Sequence, residues 1–282
     1  MPFARIVSVF LILSSIATAS GPGTAVPLSI PLRVSEGFLL VDGVFLNGAG
    51  PYRFLVDTGA TTNQLDAVLA ESLAMKATYR VELVTVSGSR AVPAARVAKI
   101  QVGPVSADDI EMLWMPLTEV RKVDRRIQGV LGQDFLRRFN YVLDFRGHRI
   151  VFEPATVAGE EIPAERVEGR LAVHSAEDRV LGRRRLILDS GANTLCLFSA
   201  EDVALDPLSS VRLQTATGST EGRFGKLREL RLGSQVYRDI PAAMLRSAKN
   251  GEGADGILPL RLFKAVYVNN ARNVVILDPV GF

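Results

Sequence analysis

The sequence predicts a mostly β, bilobal protein, and three observations support that fold class. The segment FLVDTGA at 54–60 returns as LILDSGA at 186–192, so two aspartates stand 132 positions apart (189 − 57). Between these motifs, β-prone runs bounded by Gly, Pro and Asp occupy most of the chain. With 282 residues and 48% hydrophobic content, the chain can bury a sizeable core in two domains.

The internal repeat extends well beyond the two aspartate motifs. VELVTVSGS at 81–89 aligns without a gap with VRLQTATGS at 211–219, an offset of 130 (211 − 81). GVL at 129–131 pairs with GIL at 256–258, and the Tyr-Val pair at 141–142 returns at 267–268. Small length changes in surface loops explain the drift in offset. The duplication therefore predicts two lobes that each contribute one carboxylate.

The first repeat is expected to begin with strands. Leu28–Arg33 and Phe38–Leu46 are apolar runs, and Asp42-Gly43 suits the tight turn of a hairpin. Tyr52–Val56 reads as a buried strand that leads into the first motif. A short helix is expected after this motif, because apolar residues lie between polar ones at Leu65, Val68, Leu69, Leu73 and Met75.

Two further hairpins and a linker are predicted. Gly88 and Gly218 lie between β-prone runs, as at a hairpin tip that needs a residue tolerant of positive φ. Two prolines and several charges lie between the repeats, which indicates a linker at 154–168. The N-terminal lobe is then expected at 20–153 and the C-terminal lobe at 169–282.

Residues 1–19 are interpreted as a secretory signal peptide. Arg5 supplies a positive charge, Ile6–Ile16 is mostly apolar, and Ala17–Ala19 offers small residues for cleavage. The alternative is a membrane anchor, but the apolar run is shorter than the roughly 20 residues that span a bilayer. The mature protein is expected to be exported, either periplasmic or secreted, without stable membrane insertion.

The composition argues against several kinds of chemistry. The only cysteine, Cys196, has no partner for a disulfide, and its expected role is that of a small buried apolar residue. The only histidines, His148 and His174, do not form a metal or nucleophile motif, so neither a metal nor another cofactor is expected. The net charge of +3 comes without a basic stripe interleaved with aromatic residues, so no nucleic-acid partner is expected.

The motifs resemble those of aspartic proteases. DTGA and DSGA follow apolar strands, and each is followed by a Gly-bearing hairpin and then by GVLG at 129–132 or GILP at 256–259. The short lobes and the run GVLGQDFL at 129–136 are more similar to retropepsin-like lobes than to those of pepsin. The resemblance covers nearly the whole mature chain and implies a bilobal double β-barrel with a few short helices, with two fused lobes in one chain.

The resemblance implies a hydrolytic role for the two repeated motifs. Asp57 and Asp189 would be the catalytic pair, which shares a proton because two close carboxylates cannot both ionise cheaply. One would activate a water that attacks the peptide carbonyl, while the other donates a proton to the oxyanion. The residues expected to support the catalytic loops are Thr58, Gly59, Ser190 and Gly191.

Flaps that close over a bound peptide are a further implication. Their expected substrate-binding residues are Ser87, Gly88, Ser89, Thr217, Gly218 and Ser219. Two features depart from the family pattern. The flap tyrosine of pepsin has no counterpart near Gly88, since the nearest is Tyr79. In the second repeat Pro259 stands where the first has Gly132, and the run QDFL that follows Gly132 at 133–136 is lost.

The expected activity is therefore that of an exported, monomeric aspartic endopeptidase acting on peptides or unfolded proteins. The main alternative is a non-catalytic peptide-binding or scaffolding protein on the same two-lobed fold. A β-rich carbohydrate-active enzyme that uses the same acids fits the duplication less well.

Overall fold

A computed structural model describes residues 28–85, 88–177, 182–199, 205–215, 218–245 and 253–282. The predicted signal peptide lies outside these residues. The first repeat contains β1 Leu28–Ser35, β2 Phe38–Leu46, β3 Ala49–Val56, β4 Asn63–Asp66, α1 Ala67–Ser72, β5 Tyr79–Thr85, β6 Gly88–Val102, β7 Val105–Met115, β8 Gly129–Leu131, α2 Gln133–Leu136, β9 Tyr141–Asp144 and β10 Arg149–Phe152. A 3-10 turn lies at Val120–Lys122.

The second repeat reproduces this order of strands. It contains β11 Ile162–Val167, β12 Arg170–His174, β13 Arg185–Asp189, β14 Leu195–Phe198, β15 Asp206–Thr215, β16 Gly218–Leu232, β17 Gln235–Leu245, β18 Gly256–Pro259, β19 Ala265–Asn269 and β20 Val274–Leu277. A 3-10 turn at Leu260–Leu262 occupies the place that α2 has in the first repeat. The prediction of a mostly β, bilobal fold with a few short helices is confirmed.

In both repeats the strands around the aspartate motif pair with one another in the same way. β3 pairs in parallel with β8, while β4 pairs antiparallel with β8 and parallel with β7. In the second repeat, β13 pairs in parallel with β18, and β14 pairs with β18 and β17 in the same senses. These short strands are largely buried, and β8 and β14 are apolar, whereas β4 contributes the buried polar residues Asn63, Gln64 and Asp66.

A six-stranded antiparallel sheet joins the two repeats. Its order is β1, β10, β9, β19, β20 and β11. At its centre Val142 of β9 lies opposite Tyr267 of β19, so the repeated Tyr-Val pairs meet across the boundary between the repeats. One continuous apolar core includes buried residues of both repeats, among them Val56 and Leu188, so the base of the two aspartate strands belongs to a shared core.

The predicted tight turn at Asp42-Gly43 is wrong. β2 continues through these residues, and its register with β3 shifts between Val41 and Val44. The turn between β1 and β2 lies instead at Glu36-Gly37, where both residues have positive φ, 51° and 84°. Two consecutive positive φ angles match the right-handed twist of a hairpin.

The helix predicted after the first motif is shorter than expected. Leu65 belongs to β4, and α1 covers only Ala67–Ser72. The Asp66 carboxylate accepts a hydrogen bond from the Val68 nitrogen at 3.2 Å, which caps the helix N-terminus. Leu73 ends the helix, and Met75 lies beyond it.

The hairpins predicted around Gly88 and Gly218 are present. β5 pairs with β6 from Tyr79↔Ala94 to Thr85↔Gly88, and β15 pairs with β16 up to Thr215↔Gly218. Gly88 and Gly218 are the first residues of the returning strands, and the loop residues that join each pair of strands lie outside the described part of the chain.

The segment at 154–168 contains β11, which pairs with β20 and β12, so strand structure begins inside the predicted linker. The exact lobe boundaries stay a prediction. Among the described residues, no helix has the length and apolar character that crossing a bilayer requires.

Candidate active site

Two equivalent strand ends position the aspartates. Asp57 follows the last residue of β3, and Asp189 is the last residue of β13. The residues before them, Phe54–Val56 and Leu186–Leu188, are buried. The Asp57 nitrogen donates to the Leu131 carbonyl at 3.0 Å, so the neighbouring strand β8 holds the first aspartate in place. Burial of the strand anchors the backbone and leaves the carboxylate at its end.

Four hydrogen bonds cross between the two motifs. The Thr58 hydroxyl donates to the Leu188 carbonyl at 2.9 Å and accepts from the Ser190 nitrogen at 2.9 Å. The Ser190 hydroxyl donates to the Val56 carbonyl at 2.8 Å and accepts from the Thr58 nitrogen at 3.0 Å. Thr58 and Ser190 are each only 2% exposed, so water cannot replace these bonds. The two loops are therefore fixed relative to each other.

Each motif glycine lies against the aspartate of the other repeat. A Cβ atom added to Gly59 would overlap the Asp189 carboxyl group, and one added to Gly191 would overlap that of Asp57. The glycines thus allow close approach of each loop to the opposite carboxylate. Any larger residue at either position would push the two aspartates apart.

The two carboxyl groups lie within hydrogen-bonding reach of each other in a half-buried site. Burial raises the pKa of Asp57, whereas hydrogen bonds from Asp189 and from the Gly59 and Ala60 nitrogens oppose the rise. Burial, followed by the charge and hydrogen bond of Asp57, raises the pKa of Asp189 well above its ordinary value. Such a pair holds one proton over a wide pH range.

Hydrogen-bond donors are distributed unequally between the two aspartates. Asp57 Oδ1 accepts from the Gly59 nitrogen at 2.9 Å and from the Ala60 nitrogen at 3.2 Å. Asp189 Oδ1 accepts from the Gly191 nitrogen at 2.7 Å. Bonds from N–H groups favour the ionised form of a carboxyl group. The ionised form is therefore favoured at Asp57, and the protonated form is favoured at Asp189.

Two buried amide side chains support the first loop and were not recognised in the sequence. The Gln133 Nε2 atom donates to the Thr58 carbonyl at 2.8 Å, and Asn63 Oδ1 accepts from the Gly132 nitrogen at 2.9 Å. The corresponding positions of the second repeat are Leu260 and Leu195, which are apolar and buried. The alignment of the two repeats carries the signal, because it sets a polar residue against a leucine at each position.

The predicted flap residues are placed as far as the structure describes them. Gly88 and Ser89 begin β6, and the Ser89 hydroxyl donates to Glu82 Oε1 at 2.7 Å across the hairpin. Gly218 and Ser219 begin β16. Ser87 and Thr217 lie outside the described residues, so a flap role for these six positions stays a prediction.

The other reactive side chains lie apart from this chemistry. Burial raises the pKa of Cys196 to about 12, and the charge of Asp189 contributes to the rise. The His174 Nε2 atom lies 2.7 Å from Glu165 Oε1, which also forms an ion pair with Arg185. The described residues contain no group of three or more His, Cys, Asp or Glu side chains that could hold a metal ion.

The fold and the site together define a duplicated chain. Its two repeats meet at a pseudo-symmetric junction, and each supplies one carboxylate. The family model described as aspartyl protease matches residues 42–135 and 177–260, which together make up more than half of the chain. The chain therefore belongs to the aspartyl protease family. The two separate matches correspond to the two repeats, and the family places the chain among peptide hydrolases.

Among solved structures, the crystal structure of a retropepsin-like aspartic protease from Rickettsia conorii matches with 21% sequence identity. The match covers 45% of this chain and 89% of that chain, with a TM-score of 0.35. No curated protein matches the chain in sequence.

Proposed function

We propose that this protein is an aspartic endopeptidase in which Asp57 and Asp189 hydrolyse peptide bonds through an activated water. One observation carries the proposal: two carboxyl groups from separate repeats lie within hydrogen-bonding reach and share the crosswise support of Thr58 and Ser190. A half-buried pair that shares one proton contains both a base and an acid.

The roles in the resting enzyme follow from the hydrogen bonds. Asp57 is the ionised group and takes a proton from water as the water oxygen bonds to the peptide carbonyl carbon. Asp189 donates its proton to the carbonyl oxygen, which gives a neutral gem-diol. The proton now on Asp57 then passes to the peptide nitrogen, one diol hydroxyl returns a proton to Asp189, and the C–N bond breaks. The pair ends in its starting protonation state.

Substrate would bind between the two long hairpins, β5–β6 and β15–β16. β6 pairs with β2, the neighbour of the first aspartate strand, and β16 pairs with β17, the neighbour of β14. A peptide in extended form could add to such strands through backbone hydrogen bonds. The flap positions Ser87, Gly88, Ser89, Thr217, Gly218 and Ser219 belong to this part of the proposal. Peptides and unfolded proteins are extended enough to enter, so they are the proposed substrate class.

A single chain supplies both aspartates, so a monomer suffices for the proposed activity. Export is also part of the proposal and rests on the sequence of residues 1–19 alone. Expression with and without this segment, followed by fractionation and N-terminal sequencing, tests it. A mature protein that starts near residue 20 outside the cytoplasm is the expected result.

The decisive experiment for the proposed function is cleavage of a mixed peptide library between pH 3 and 8, with and without a pepstatin-type inhibitor. Asp57→Asn and Asp189→Asn should each abolish cleavage and retain the fold. Asp108→Asn is the matched control, because that aspartate is exposed on β7 and pairs only loosely with Lys99 at 3.6 Å. Normal cleavage by either dyad variant would refute the mechanism, and peptide binding without cleavage by the wild type would identify a binding protein.

A further inference from the structure

The neighbours of the two aspartates differ sharply between the repeats. β2 and β3 pair with Leu40 opposite Leu55, and continuing this register places Phe38 opposite Asp57. β12 and β13 pair with Ala172 opposite Ile187, and the same continuation places Arg170 opposite Asp189. Directly opposed residues on antiparallel strands have Cβ atoms about 4.5–5.5 Å apart and share one face. The continued registers therefore place an aromatic residue opposite Asp57 and an arginine opposite Asp189.

The apolar surroundings of Phe38 form one side of this contrast. Phe38, Leu83, Val120 and Val123 are partly buried and pack on a buried cluster that includes Leu40. Part of each side chain remains accessible, so this side presents an apolar surface next to Asp57. It suits an apolar substrate side chain.

The side chains around Arg170 are smaller than those around Phe38, and Arg170 itself is charged. Ala172 takes the place that Leu40 has in the first repeat, and it packs in a cluster with Val167, Ile187 and Ala254. The Arg170 side chain is 16% exposed, and its charge lowers the pKa of both aspartates, against the effect of burial. A positive charge therefore borders the dyad on the side of the second repeat.

A carboxylate already lies close to this guanidinium. Arg170 Nη2 is 3.3 Å from Glu168 Oε2, and the Glu168 side chain is 48% exposed. Glu168-Gly169 forms the turn before β12, with both φ angles positive, and it corresponds to Glu36-Gly37 in the first repeat. The Glu168 carboxylate is thus half exposed, and water competes with the guanidinium for it. A substrate carboxylate that enters the less solvated cleft can compete with Glu168.

We propose that Arg170 determines substrate specificity by binding an acidic side chain of the peptide on the second repeat's side of the scissile bond, while the Phe38 side takes an apolar residue. The guanidinium offers paired N–H donors that match the geometry of a carboxylate. The preferred substrate is therefore a peptide with an apolar and an acidic residue flanking the cleaved bond. This inference rests on the proposed endopeptidase function.

The test compares matched peptides that carry Leu on one side of the bond and either Glu or Gln on the other, in both orders. For the wild type, we expect kcat/KM to be about 10- to 100-fold higher for Glu than for Gln in one order, mainly through KM, because charge-assisted hydrogen bonds are strong. The preference should fade below about pH 4, where the substrate glutamate becomes protonated.

Substitutions of Arg170 test whether this residue causes the preference for glutamate. Arg170→Gln should bring the Glu-to-Gln ratio close to one, Arg170→Lys should retain part of it, and Arg170→Glu should favour Lys in the substrate instead. Arg231→Gln is the matched control, since that arginine is exposed on β16 beside Glu229. It should keep the wild-type ratio. A general loss of stability would lower cleavage of both peptides equally and leave the ratio unchanged.

The outcomes separate this inference from the proposed function. Cleavage by the wild type without preference for Glu in either order, or a preference that survives Arg170→Gln, overturns the role of Arg170 and leaves the endopeptidase intact. Absence of cleavage for every peptide and pH value overturns the endopeptidase and this inference together.

Discussion

Removal of the Thr58 hydroxyl tests the junction of the two repeats directly. In Thr58→Val the side chain keeps its shape, but the Leu188 carbonyl and the Ser190 nitrogen lose partners that lie at 2.9 Å each. Because Thr58 is 2% exposed, water cannot reach these two groups. Each buried group left without a hydrogen-bond partner costs about 1–3 kcal/mol, so the free energy of unfolding should fall by about 2–6 kcal/mol. That is a large share of the stability of about 5–15 kcal/mol typical of a protein.

Urea unfolding provides the assay for this loss. The single tryptophan, Trp114, is 8% exposed on β7, so its fluorescence reports the first repeat, while far-UV circular dichroism reports all the strands. Thr62→Val is the matched control, since its hydroxyl makes only a long bond of 3.4 Å to Glu111. Typical surface substitutions change the free energy of unfolding by about 0.5 kcal/mol. If the free energy of unfolding of Thr58→Val falls no further than that of the control by this margin, the reasoning is refuted.

Three further predictions concern ionisation, support of the first loop and the thiol. Asp189→Asn should raise the free energy of unfolding at pH 7 but not at pH 3, because burial and the charge of Asp57 raise the pKa of Asp189 in the native state. The wild type then loses up to about 1.4 kcal/mol for each pH unit between the ordinary aspartate pKa and this raised pKa, and the variant does not. Urea titrations at both pH values check this, and an equal gain at both would exclude ionisation as the cause. Gln133→Leu, which copies the second repeat, should cost about 1–3 kcal/mol because the Thr58 carbonyl loses its donor, and chemical unfolding will measure it. Cys196 should react with iodoacetamide at pH 8 far more slowly in the native than in the unfolded protein, because burial raises its pKa to about 12; equal rates would contradict this assignment.

The two repeats were readable from the sequence because their signals are local. An apolar run, an aspartate and a following glycine lie within seven consecutive residues in each copy, and the copies recur in aligned contexts. The pairings of GVL and GIL with the two aspartate strands agree with the alignment as well. Local pattern and duplication thus predicted the fold class and the residues that meet at the centre.

Turn positions were predicted less well. Asp42-Gly43 has turn chemistry, but the register of β2 with β3 makes it an irregularity within a strand, and Glu36-Gly37 forms the turn. Similarly, Leu65 fits a helical period but pairs with Trp114 of β7. In both cases pairing with another strand outweighed the local preference.

The sequence by itself determined that this chain has two β-rich repeats and that each delivers one aspartate from a buried strand. Only the tertiary structure decided what lies around those aspartates: the crosswise bonds of Thr58 and Ser190, the support from Gln133, and the contrast between Phe38 and Arg170. The physical reason is the range of the interactions. Apolar periodicity and turn chemistry act between neighbours in the chain, whereas strand register and contacts between the repeats join residues far apart in sequence, 134 positions apart for Ser190 and Val56.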